Sequence, residues 1–236
     1  MRSGLGQAWR PAIAVLLVAG SGDAAPSRRL APRAIAAHPP RPLRVAPVSG
    51  PQGRAWSSTL APIDVRNRNT GAHARVRLYA NDGGLDRAAL RSFMQVACST
   101  TDADPDDDQP LDPRVVQLVV RASYHFGGAP VVIVSATRKG DPGKHGAGDA
   151  IDFQLAKVTP NALAAYLFTT PRAGVGLYPH PQTQYVHIDV REHGYHWLDM
   201  SPPRVTWPEK LLPDPARARR DAGWVPAYDL PEPAIL

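Results

Sequence analysis

The chain has 236 residues, 43% hydrophobic and 20% charged, which is enough for one domain with a real core, although 26 prolines and 19 glycines argue that part of it stays outside that core. A formal charge of +6 and an isoelectric point near 9.8 suit anionic polymers such as cell-wall glycans, teichoic acids or lipid head groups. They do not point to nucleic acid, because the arginines are scattered through proline-rich flanks rather than stacked on one helix face. Cys98 is the only cysteine, which excludes a disulfide scaffold, and it reads as a small buried apolar residue without a chemical role.

Residues 1–24 read as a secretory signal: Arg2 and Arg10, a short apolar run at 12–20 (AIAVLLVAG), then small residues around Gly22 and Ala24. The run is too short for a permanent membrane span and nothing later approaches the required length, so the expected location is the periplasm or cell envelope. No cysteine follows the run, which speaks against a lipid anchor. Residues 25–57, rich in proline and arginine, read as an extended tether.

From Ile63 the pattern changes. Ile63, Val65, Val76 and Leu78 alternate with polar residues around Asn69-Thr70-Gly71, which predicts a β-hairpin. Leu90, Phe93, Met94 and Ala97 follow helical spacing. Residues 101–109 (TDADPDDDQ) form an acidic loop, solvated or calcium-binding, in which Asp104-Pro105 breaks regular ligand spacing. Asp112-Pro113 is a helix start; Val115, Leu118, Val119 and Ala122 mark the buried face, and Gly127-Gly128 stop the helix. Strands are predicted at 131–134, 151–155, 175–178 and 185–190, with a short helix opened by Thr159-Pro160. After Trp197 the proline-rich tail, residues 200–236, is expected to pack loosely or not at all. The domain is thus expected at 58–199, in the α+β class, as a small antiparallel sheet with helices on one side.

Three side chains in this domain carry the right chemistry for a metal: His145, Asp152 and His187. A hydrolytic zinc site takes three protein ligands of N or O type and keeps a fourth position for water. One carboxylate and two neutral imidazoles leave the ion net positive, which favours ionisation of that water and polarises a carbonyl. Spacing alone is weak, but the segment from His145 to Asp152 has the form H-x-x-G-x-A-x-D. In it Gly148 permits tight backbone approach and Ala150 precedes the apolar strand that Asp152 heads.

This segment, with Val186-His187-Ile188-Asp189 downstream, resembles the zinc site of the D-alanyl-D-alanine metallopeptidases, a superfamily that includes the Hedgehog signalling domain. It is most similar to the YcbK-like branch of exported murein endopeptidases. Asn69-Thr70-Gly71, residues 111–114 (LDPR) and residues 174–179 (GVGLYP) match that branch as well, so the likeness runs from about Ile63 to Trp197. The resemblance implies the Hedgehog/D,D-peptidase-like fold, Zn2+ held by His145, Asp152 and His187, and stem peptides or crosslinks of peptidoglycan as substrate. Endopeptidase action is implied ahead of carboxypeptidase action. Ser135-Ala136-Thr137-Arg138 stands where the family has Ser-Gly-Tyr-Arg, which makes Arg138 the candidate for binding a substrate carboxylate and supporting the oxyanion, against the simpler reading of a surface ion pair.

Two departures from the family count. The loop after Arg138 (KGDPGK) is short, and Gln184 and Tyr185 stand where the peptidases carry a Glu or His before the last ligand. Asp189, two residues beyond His187 on the same strand face, is then either the general base or an orienting group. His193 and His196 are expected at the rim. The alternative function is a zinc-containing wall-binding module of weak or no activity, and a third, weaker one is a basic nucleic-acid binder. Oligomeric state is not legible.

Overall fold

Residues 51–98 and 111–232 are described by the computed structural model; the expected leader, the tether before residue 51 and the acidic run at 101–109 lie outside them. The first element, α1 (Pro51–Ser58), falls partly within the expected tether. Trp56 is buried edge-on against Tyr79 at 5.1 Å, and Arg77 Nη2 donates to Ser57 O at 2.8 Å. An isolated tryptophan among prolines carries no periodic signal, so only its packing reveals it as core.

The hairpin forms as the alternation predicts: β1 (Ile63–Asn67) pairs with β2 (His73–Val76), Ile63 opposite Val76. Asn67 Oδ1 accepts from Asn69 N and Thr70 N and closes the turn, while its Nδ2 donates to Val96 O at the end of the next helix. That helix, α2 (Arg87–Ala97), is capped by Asp86. Asp112 caps α3 (Pro113–His125), with proline at the first position as the sequence predicts. Eight residues of α3 are buried rather than one face, including Gln117, which donates to Tyr79 Oη at 3.2 Å. The reason is that α3 touches the sheet, both neighbouring helices and a 3-10 turn (Pro226–Asp229).

The remaining elements are β3 (Val131–Ser135), β4 (Ala150–Leu155), α4 (Pro160–Leu167), β5 (Ala173–Tyr178), β6 (Tyr185–Val190), β7 (Tyr195–Leu198), β8 (Lys210–Leu211) and α5 (Arg217–Ala222). The α+β class holds, but the sheet is neither small nor purely antiparallel. It has eight strands in the order β2-β1-β3-β4-β6-β5-β7-β8, with β1 parallel to β3 and β5 parallel to β7. Apolar members of the central strands, among them Ile133, Phe153, Val186, Ile188 and Val175, enter one core with α2, α3 and α4. Alternate residues of β4 and β6, Asp152, Gln154, Tyr185, His187 and Asp189, therefore share the opposite face.

The tail is the clearest correction. β8 pairs with β7, and Leu212 N donates to His196 O. Asp221 accepts from Arg172 N at 2.7 Å and Gly194 N at 2.8 Å, and Arg114 forms a two-point ion pair with buried Asp229. The guanidinium carbons of Arg114 and Arg172 lie over the Trp224 ring, 5.0 and 4.8 Å from its centroid. Proline-rich sequence hides such packing because each contact is made one residue at a time, without periodicity. Among the described residues no helix is long and apolar enough to cross a membrane.

Candidate metal centre

His145, Asp152 and His187 come from three places in the chain. His187 and Asp152 are direct neighbours across β6 and β4. His145 arrives on the loop between β3 and β4, where Gly148 takes a left-handed φ of 73°. Close backbone approach is made at Gly146, whose place leaves no room for a Cβ beside Asp141 O. A bulge between Ile133 and Ser135 sets Ser135 opposite Asp152 and ends β3 beside the site.

All three side chains are buried, and His145 Nε2, His187 Nδ1 and Asp152 Oδ1 converge. The separations are 3.2 Å between the two nitrogens, and 3.3 and 2.8 Å from each to the oxygen. A tetrahedral ion with bonds of about 2.0–2.1 Å needs ligand atoms about 3.3 Å apart, so the triangle is close to the required size.

Each imidazole also has an outer hydrogen-bond partner. His145 Nδ1 lies 2.5 Å from Ala136 O, a group that only accepts, so this nitrogen carries the proton. His187 Nε2 donates to Asp189 Oδ2 at 3.1 Å. Asp189 is an anion there: burial raises its pKa, but hydrogen bonds from His187 and Arg191 outweigh that and hold it below the ordinary carboxylate range. With His187 neutral and its proton on Nε2, two bare nitrogens and a carboxylate oxygen face one another, an arrangement of acceptors that only a cation or a shared proton relieves. In the metal-free protein the proton does so. Burial pulls His187 down, yet its bonds to Asp152 and Asp189 raise it to about 9. Burial raises Asp152, and its bonds to both histidines overcome this and hold it well below its usual range. The trio can hold a metal ion.

Arg138 Nη2 donates to Asp152 Oδ2 at 2.8 Å and its Nε to Ser135 Oγ at 3.0 Å, with the side chain still about half exposed (48%). It braces the ligand carboxylate from the solvent side. Asp189, read from sequence as base or orienting group, is fully buried beyond the outer nitrogen of His187 and held by Arg191 through both oxygens. That is the place of an orienting carboxylate, separated from the inward lone pairs by the imidazole ring. His196 is not at the rim: the alternation of β7 turns it away from Trp197, and it is buried against Phe168 with Asp214 nearby. His193 is exposed.

Sequence reading missed the floor beside the trio. Gly176 pairs with His187, and a Cβ there would lie 2.4 Å from Trp197 Cε2; the glycine makes room for an indole 5.1 Å from the His187 ring. Trp197 Nε1 donates to Tyr178 Oη at 3.1 Å, and Tyr178 stacks on Tyr185 at 4.4 Å. Burial raises both phenols, which keeps them protonated at neutral pH. The alternate glycines Gly174 and Gly176 in a strand were the available signal, since a strand interior has little other use for them.

Compared with known protein families, curated proteins and solved structures, the chain matches none.

Proposed function

We propose that the protein is an exported zinc metallopeptidase of the cell envelope that hydrolyses peptide bonds of peptidoglycan, as an endopeptidase, on a Hedgehog/D,D-peptidase-like fold. The observation that carries this reading is the buried convergence of His145, Asp152 and His187, with the outer nitrogen of each imidazole hydrogen-bonded behind it. The H-x-x-G-x-A-x-D segment and the basic charge support the substrate class.

A zinc ion in such a set acidifies water and polarises an amide carbonyl. The chain's own residues do the rest. Asp189, fixed by Arg191, holds the His187 ring; Arg138 holds Asp152 and keeps an exposed edge for a substrate carboxylate or developing oxyanion. Tyr178, whose oxygen accepts from Trp197, keeps its own proton to give, on the sheet face that carries His187.

The test is digestion of purified murein by the full chain with zinc and with chelator, read by mass spectrometry of released muropeptides. Zinc-dependent loss of one crosslink class is expected, and His145→Ala or His187→Ala should abolish it together with stoichiometric zinc. Full zinc retention by either variant would overturn the site.

One observation favours a second reading, a zinc-containing wall-binding module of weak or no activity. Asp189, the carboxylate beside His187 that is not one of the trio, stands behind the ring and is committed to Arg191, so it supplies no base on the open side. Zinc binding and murein pull-down without cleavage would select this reading.

A further inference from the structure

A cavity of about 630 Å³ opens at the β4 end away from His145, lined by Val132, Gln154, Lys157, Thr159, Asn161 and Gln184 among others. Gln154 follows Asp152 by two residues on β4 and so shares its face, which makes the cavity a continuation of the face that carries the metal trio. We infer that this cavity is the subsite for the carboxylate end of an extended peptide whose scissile bond lies at that trio. The inference rests on the peptidase reading and names its substrate more closely.

Charge comes first. None of the described residues lining the cavity is acidic, and Lys157 is its one cation, exposed at the turn after β4. An ammonium with three donors, among amide and hydroxyl side chains, suits a carboxylate and disfavours a cationic ligand.

Hydrogen-bonding capacity comes next. Gln154 Nε2 donates to Gln184 O at 2.8 Å and Thr183 O at 3.2 Å, which uses both amide protons and leaves Oε1 as an acceptor for a peptide N–H. The same two bonds tie the loop before β6 to β4, so that wall is held in place before any ligand arrives.

Backbone strain points the same way. Lys157 and Gln184, both lining the cavity, are non-glycine residues with φ of 65° and 49°. Side chains held in the left-handed region persist only where the surroundings impose them, and such positions gather at binding sites.

Reach then selects the ligand. Lys157 lies five residues past Asp152, the last two beyond the end of β4, which is roughly 10–16 Å at about 3.3 Å per residue. An extended peptide covers that span in three to five residues, so the free carboxylate belongs to a stem peptide that continues several residues from the cut. A single terminal residue, as carboxypeptidase action would present, falls short of Lys157.

The experiment uses the full chain and a murein stem tetrapeptide prepared as free acid and as C-terminal amide. Binding of each is measured by calorimetry on chelator-treated protein, where no turnover occurs. Wild type should prefer the free acid by about tenfold, Lys157→Gln should abolish the preference, and Lys157→Arg should restore most of it. Equal affinity for acid and amide in wild type, an unchanged preference in Lys157→Gln, or no binding of either peptide would overturn the subsite. Because the readout needs neither zinc nor cleavage, a preference found in a protein that cuts no murein removes the peptidase reading alone. Cleavage without the preference removes the subsite alone.

Discussion

Replacing Gly174 by alanine tests the link between sheet packing and the metal centre. Gly174 pairs with Asp189 across β5 and β6, and its φ is not in the left-handed region, so backbone strain is no obstacle to a side chain. On propensity alone, alanine in a strand should gain about 0.5–1 kcal/mol over glycine. The structure reverses that sign. A Cβ at 174 would lie 2.3 Å from Asp189 Oδ2 and 2.5 Å from Arg191 Nη2, and Asp189 is fully buried, so the carboxylate must shift. Overpacking of this kind costs about 1–3 kcal/mol. Asp189 Oδ2 is also the acceptor that fixes His187 Nε2, so its displacement should lower zinc affinity by about 10- to 100-fold, or about 1.4–2.7 kcal/mol. The assay is competition for zinc against a fluorescent chelator, paired with chemical denaturation of the chelator-treated protein. Asp189→Ala, which removes the acceptor without adding volume, should reproduce the affinity loss. Wild-type zinc affinity in Gly174→Ala would refute the argument, because it would mean that Asp189 does not position His187.

Arg138→Ala should reduce zinc affinity by up to about tenfold, since it frees one oxygen of Asp152 while leaving the three ligands in place; unaltered affinity with weakened peptide binding would assign Arg138 to substrate instead. Arg114→Ala leaves Asp229 buried without its cation and should cost about 3–5 kcal/mol in urea denaturation, whereas a loss under 1 kcal/mol would show that the tail does not depend on the pair. His196 is held below the ordinary histidine value of about 6.5, first by burial and then by Arg220 and Arg191, against the opposing charges of Asp214 and Asp221. The unfolded chain therefore binds a proton near pH 6.5 that the folded chain refuses, so this contribution is present above pH 6.5 and is lost as pH falls, at most about 1.4 kcal/mol per pH unit. Thermal melts between pH 7 and pH 5 should fall more steeply for wild type than for His196→Phe; parallel slopes would exclude the effect. Asp214 adds the same sign lower down, below about 3.8, because its pairing with Arg220 depresses it.

Local chemistry was legible in the residues themselves. Asp112 and Thr159 cap their helices ahead of proline, and Asn69-Thr70-Gly71 turns the hairpin, because caps and turns are made within a few residues of one another. The trio able to hold an ion was legible too, since donor type and a short motif put two of its members, His145 and Asp152, seven positions apart. Contacts that depend on distant pairing were not. The parallel joins of β1 with β3 and β5 with β7, and the docking of Trp56, Asp221 and Asp229, each bring together single residues from far along the chain, which periodicity cannot register. The role of Asp189 shows the division most sharply. Alternation along β6 puts it on the face of His187, and the sequence goes no further. Whether it acts as base or as support depends on which imidazole nitrogen turns toward it, and that was decided by Asp152 across the sheet and Arg191 at its end.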